Sequence, residues 1–426
     1  MRWAWFASVG GLIGLLVVFA TPPTGRAAPA ADDPAACAWP EFHGPRRDNL
    51  SPASGLRKVW PEAGPPLLWT ADGLGHGYST VAVADGRIFT TGNVDQQTVI
   101  TALAMDGSVA WRVANGPAWL KPQPGARSTP TLDAGRLYHM NSHGDLVCLD
   151  AGTGRRLWHA NVLQQFNGRN IEWGLAESVL VDGDRVIATT GGDDIGMVAL
   201  DKTTGKPVWT CRGAGDKPGY CSPVLFEYAG LRQIVTLMAK SVVGVHADTG
   251  RLLWQVPHET PFDENIGTPL YHDGGVFVST RTTGSRLLRL KVSGQDCSVA
   301  EVWSTTALEN QHGGVLLVDG RLYGTSLDAS NGPWACIEWA TGKRVWSDKG
   351  IGRASATWAD GRLYALSHTG TVALIEPSPV GFRAVSTFEM PKGGKGPHWA
   401  HPVVCGGRLY LRHGETVFCY DVSARP

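Results

Sequence analysis

One short turn recurs along this chain and limits what it can fold into. It reads "ADGRIF", "DAGRLY", "VDGDRV", "YAGLRQ", "HDGGVF", "VDGRLY", "ADGRLY" and "CGGRLY". One glycine from each gives Gly86, Gly135, Gly183, Gly230, Gly274, Gly320, Gly361 and Gly407, at spacings of 49, 48, 47, 44, 46, 41 and 46. Within a unit four short strands are legible: "STPTLDAG", "RLYHMNS", "GDLVCLDAGTG" and "RRLWHANV" in the second. Gly and Asp at the turns supply the positive φ that two-residue connections require. A period of 40 to 50 residues with four strands per unit predicts a β-propeller. With 54 Gly and 27 Pro among 426 residues, the composition suits many short strands and tight turns.

The ends of the chain predict how the ring closes. After Gly407 only "RLYLRHGETVFCYDVSARP" remains, which is too short for a fourth, Trp-bearing strand. Its counterpart stands upstream in "PPLLWTAD" around Trp69. The expectation is an all-β, eight-bladed propeller of four-stranded blades, with the N-terminal strand completing the last blade and removing exposed edges.

The third-to-fourth strand turns carry a second motif: "LDAGTGRRLW", "LDKTTGKPVW", "HADTGRLLW" and "EWATGKRVW" share T-G-[KR]-x-x-W. "AMDGSVAW" keeps the Gly and Trp, and Phe388 replaces Trp in the seventh unit. An indole repeated on every outer strand is explained by packing between blades. The motif is architectural rather than a ligand box.

At the N-terminus, Arg2 and the apolar run Trp3 to Ala20 lead to "APA" (Ala28 to Ala30), the form of a cleaved export signal. An uncleaved anchor is the rival. The predicted layout is a signal at 1–30, an extension at 31–65 and one propeller at 66–426. Such a chain leaves the cytoplasm for the periplasm or envelope. Eight cysteines then allow disulfides, and Cys211–Cys221 and Cys405–Cys419 are plausible bridges by spacing. Cys148, Cys336 and Cys419 also suit small core hydrophobes on strands. Formal charge is zero, from 38 basic and 38 acidic residues, with no basic face for nucleic acid.

These motifs resemble the pyrroloquinoline-quinone-like (PQQ-like) repeat family of eight-bladed propellers, over nearly the whole mature length. "WPEFHGPRRDNLSP" and "GPPLLWTADGLGHGYSTVAVADGR" resemble its exported, planctomycete-type quinoprotein-like members. The resemblance implies either a PQQ-dependent dehydrogenase with Ca²⁺ on the quinone, or a cofactor-free propeller like the subunit of the outer-membrane barrel-assembly machine. Dehydrogenases of the family stack PQQ on a disulfide between adjacent cysteines. No two cysteines are adjacent here, and no C-x-x-C-H haem site exists.

Repeat register places any ligand at the loops preceding each first strand, which share one mouth of the channel. The side chains singled out there are His76, Tyr78, Arg127, Trp173, Glu177, Tyr220, Asn265, His312, Arg353, Trp399 and His401. Five of them, Tyr78, Arg127, His312, Arg353 and Trp399, lie eight residues before their blade's anchor glycine. Aromatics, arginines and histidines converging on one mouth suit a flat anionic or sugar-like ligand. Glu177, Asp263 and Asn265 are the nominees for Ca²⁺, and His398 with His401 for a transition metal, each set lacking a ligand-loop motif. The sequence thus favours a non-catalytic ligand- or protein-binding scaffold, with no cofactor expected. The alternative is a PQQ-dependent alcohol or sugar dehydrogenase using Arg127, Arg353, Trp399 and Glu177 or Asp263.

Overall fold

Each anchor glycine adopts positive φ, from 55° at Gly183 to 78° at Gly361, and turns the chain from the first to the second strand of a blade. In the first repeat the antiparallel strands are Ala82–Ala84, Arg87–Val94, Gln97–Ala104 and Val109–Pro117. The computed structural model describes residues 1, 37–327 and 332–424, and in them this unit recurs as eight sheets. First strands are mostly buried, fully so in blades 1 and 8, and line the axis, while the fourth strands are largely exposed at the circumference. The expected export signal, beyond Met1, lies outside the described residues. Among those residues no helix is long and apolar enough to cross a membrane.

The N-terminal strand closes the ring. Leu67–Ala71 pairs antiparallel with Thr416–Asp421 as the outermost strand of blade 8. Its Trp69 then reaches blade 1, donating its indole N–H to the Met105 carbonyl at 3.0 Å. Inside the same seam Arg412, 2% exposed, donates to the carbonyls of Gly75, Ser79, Thr91 and Gly414 and to the Thr90 hydroxyl. A buried guanidinium is tolerated there because its donors meet acceptors from both blades.

The repeated tryptophans fasten one blade to the next. The indoles of Trp111, Trp158, Trp209, Trp303 and Trp346 donate to backbone carbonyls of the following blade. Each of the first four packs on that blade's turn glycine: Gly154, Gly205, Gly250 or Gly342. Phe388 packs against Gly64 instead. Trp254 departs from the pattern. It stays in its own blade over Gly244 and donates to Gln233, and the join to blade 5 is made by the stacked rings of Phe226 and Tyr271, 3.9 Å apart.

Residues 37–60 run as a strap across the channel. Trp39 bridges Val83 in blade 1, and the Pro40 carbonyl accepts from Leu132 in blade 2. Arg47 donates to the carbonyls of Ser178 and Val179 in blade 3 and Pro223 in blade 4, and pairs with Glu41. Leu50–Ser51 adds a parallel strand to blade 7.

Cysteine pairing corrects the spacing argument. Cys37 of the strap is bonded to Cys405 of blade 8 across 368 residues. Cys419 faces Tyr410 on the third strand of blade 8 while Cys405 lies on the first, so two inter-strand spacings separate them. Cys211 sits on an outer strand and Cys221 beside the channel, and both are free. Cys148, Cys336 and Cys419 are fully buried among apolar side chains.

Candidate binding pocket at the channel mouth

Because each mouth loop leads into an axial strand, its side chains are aimed at a common centre. There they enclose a cavity of about 360 Å³. One wall is a run of rings: Trp399 stands between Tyr78 and His312, with centroids 5.0 Å away on both sides. Trp173 and Tyr220 form another, joined by the Trp173 backbone N–H donating to the Tyr220 hydroxyl at 3.2 Å. Arg127 comes from the loop between blades 1 and 2, and Glu264 from the loop between blades 4 and 5.

The strap supplies the floor, through Phe42 and His43. His401 Nε2 lies 2.6 Å from the His312 carbonyl, so it carries the proton, and Nδ1 accepts from His43 Nε2 at 3.1 Å and Asn49 Nδ2 at 3.3 Å. This neutral tautomer is satisfied on both nitrogens. Burial drives His401 down to about 4 and holds His43 and His312 well below their ordinary range. Burial also lowers Arg127 to about 10, which leaves it charged at neutral pH.

Of the eleven side chains singled out in the sequence, Tyr78, Arg127, Trp173, Tyr220, His312, Trp399 and His401 line this cavity. The other four do not. His76 stands behind Tyr78, edge to face at 5.5 Å. Glu177 points away from its lining neighbours Ala176 and Ser178. It is 3% exposed, accepts the Thr189 N–H, and burial raises it to about 7. Asn265, fully buried outside the lining, donates its side-chain amide to the carbonyls of Met238, Ala239 and His258. Arg353 lies outside the lining, its pKa lowered by burial and by the nearby Arg281.

The lining also includes Phe42, His43, Gln123, Glu264, Ile266 and Gln311, which were not singled out. For Ile266 the register signal was available, since it too lies eight residues before its anchor glycine. The strap residues carry no repeat signal. The metal nominees do not gather. Asp263 lies 3.9 Å from Lys217, and His398 stacks on His413 at 3.6 Å. Among the described residues no three His, Cys, Asp or Glu side chains form a cluster able to hold a metal ion.

A family model described as "Outer membrane protein assembly factor BamB", built on PQQ-like repeats, matches residues 95–348. The chain belongs to this family. Curated relatives include the quinoprotein alcohol dehydrogenase PedH of Pseudomonas putida, 28% identical over 145 residues, covering 32% of this chain and 23% of that protein. The quinoprotein ethanol dehydrogenase of Pseudomonas aeruginosa is 30% identical over 158 residues, covering 33% and 25%. The chain thus matches about a quarter of these relatives' length. Among solved structures, BamB from Moraxella catarrhalis superposes with a TM-score of 0.58 at 15% identity, over 83% of this chain and 99% of that one. Quinohemoprotein alcohol dehydrogenase from Comamonas testosteroni gives 0.66 at 13%, over 93% and 82%. At such identities these likenesses establish the propeller fold.

Proposed function

We propose that this chain is a non-catalytic binding propeller of the cell envelope, with the mouth cavity as its receptor site. The observation that carries this reading is the lining itself: a preformed aromatic chamber, closed below by the strap, in which Glu264 is the sole carboxylate among the described residues. That carboxylate is engaged by Gln311 at 3.3 Å and Arg281 at 3.6 Å. The Cys37–Cys405 bridge supports an oxidising compartment. The family description names an outer membrane assembly factor, so a protein partner on the exterior of the ring belongs to the same reading.

The dehydrogenase reading draws on the curated relatives, yet the residues present do not fit Ca²⁺-bound PQQ. The cation needs six to eight oxygen ligands. Glu177 is turned away, Asp263 and Asn265 stand outside the lining, and Arg353 does not join Arg127 there. A titration of the purified protein with PQQ, with and without Ca²⁺, followed by a dye-reduction assay with ethanol, tests the point. No alcohol-dependent reduction is expected. Turnover that saturates with PQQ would replace the receptor with an enzyme.

A further inference from the structure

The chamber holds a positive charge, on Arg127, that no carboxylate among the described residues pairs with. Arg127 donates to the backbone carbonyls of Gly125 and Gln123, both uncharged, which leaves three of its five N–H groups without an acceptor among the described residues. No carboxylate of those residues forms an ion pair with it, whereas Glu264 is already paired with Arg281. A guanidinium withdrawn from water gains most from an anion that takes two of its donors side by side, which is the geometry of a carboxylate. Around it, the rings of Tyr78, Trp399 and Trp173 offer flat faces, and Gln311, Ser222 and Thr268 offer amide and hydroxyl groups for a polyhydroxylated ligand. A volume of about 360 Å³ lies at the small end of ligand pockets.

We propose, resting on the receptor reading above, that the chamber binds a sugar acid of one or two rings, its single carboxylate on Arg127 and a ring face against the Tyr78–Trp399 wall. A dianionic phosphate or a tricarboxylate would bring more charge than one guanidinium matches. An aromatic monoacid shares the carboxylate but leaves the amide and hydroxyl groups unused.

The test is calorimetric titration of the purified full chain with D-glucuronate, D-glucose and benzoate at one ionic strength, with tryptophan fluorescence as a second signal from Trp173 and Trp399. Glucuronate is expected to bind at least about tenfold more tightly than either other probe, the range of one charge-assisted contact. In Arg127→Gln that preference of glucuronate over glucose should vanish, and Arg127→Lys, which keeps the charge without the fork, should fall between. The comparison among probes in the unmodified protein stands even if a variant folds poorly. Equal affinity for glucuronate and glucose overturns the carboxylate assignment and leaves a receptor. Tighter binding of benzoate overturns the sugar. Silence with all three probes overturns the inference itself, whereas the receptor reading falls only to quinone-dependent turnover.

Discussion

Gly86 and Gly250 have almost the same backbone conformation, with φ of 67° and 73°, but they are glycines for different reasons. A Cβ built on Gly86 meets nothing within 4 Å, so only the left-handed turn demands glycine there. On Gly250 it would stand 2.5 Å from the indole of Trp209, so the glycine is also the socket for the neighbouring blade's fastener. Gly86→Ala should therefore cost about 1 kcal/mol, the price of positive φ alone. Gly250→Ala should cost about 3 kcal/mol, because an overpacked contact is added. Urea unfolding of the two variants separates these values, and equal losses would refute the socket. The glycine spacings made the turns legible in the sequence. The socket was not, because a Trp and the glycine receiving it lie 39 to 47 residues apart and belong to different blades.

At the scale of elements, the mouth loops were readable and the strap was not. Counting eight residues back from the anchor glycine finds Tyr78, Arg127, Ser222, Ile266, His312 and Trp399 in the lining. The same count fails at Leu175, which is 2% exposed in the core, and at Arg353. Loop conformation there overrides repeat register. No periodicity marks residues 37–60, whose placement follows from tertiary contacts such as Arg47 to blades 3 and 4. The strap meets the last mouth loop through His43 and His401, and this contact predicts a pH dependence. His401 titrates near 4 in the fold against an ordinary 6.5, so between those values the unfolded chain binds a proton that the folded chain excludes. Its contribution is complete above about pH 6.5 and is lost as pH falls, at up to about 1.4 kcal/mol per pH unit. Urea unfolding at pH 7, 6 and 5 should show the decline, and His401→Gln should make it shallower by about that amount. An unchanged slope in the variant would place the titration elsewhere.

For the whole molecule, eight blades and closure by Leu67–Ala71 followed from the repeat and from the Trp-bearing strand that stands upstream of the first unit instead of after the last. The covalent topology did not follow, since Cys37 and Cys405 become neighbours only after the ring has closed. Their bond turns the chain from residue 37 to residue 405 into a macrocycle. One proteolytic cut within it linearises a circle and releases no fragment, so a nicked molecule should run as a single species until a thiol reductant is added. The circle also restricts the denatured chain, by about 6 kcal/mol in the loop-entropy model. Cys37→Ser with Cys405→Ser should accordingly lower the thermal midpoint and let single nicks divide the protein in non-reducing electrophoresis. With the bond in place, damage at an exposed turn leaves every blade covalently joined to the rest, and a broken chain stays one molecule with its cut moved to a new pair of ends.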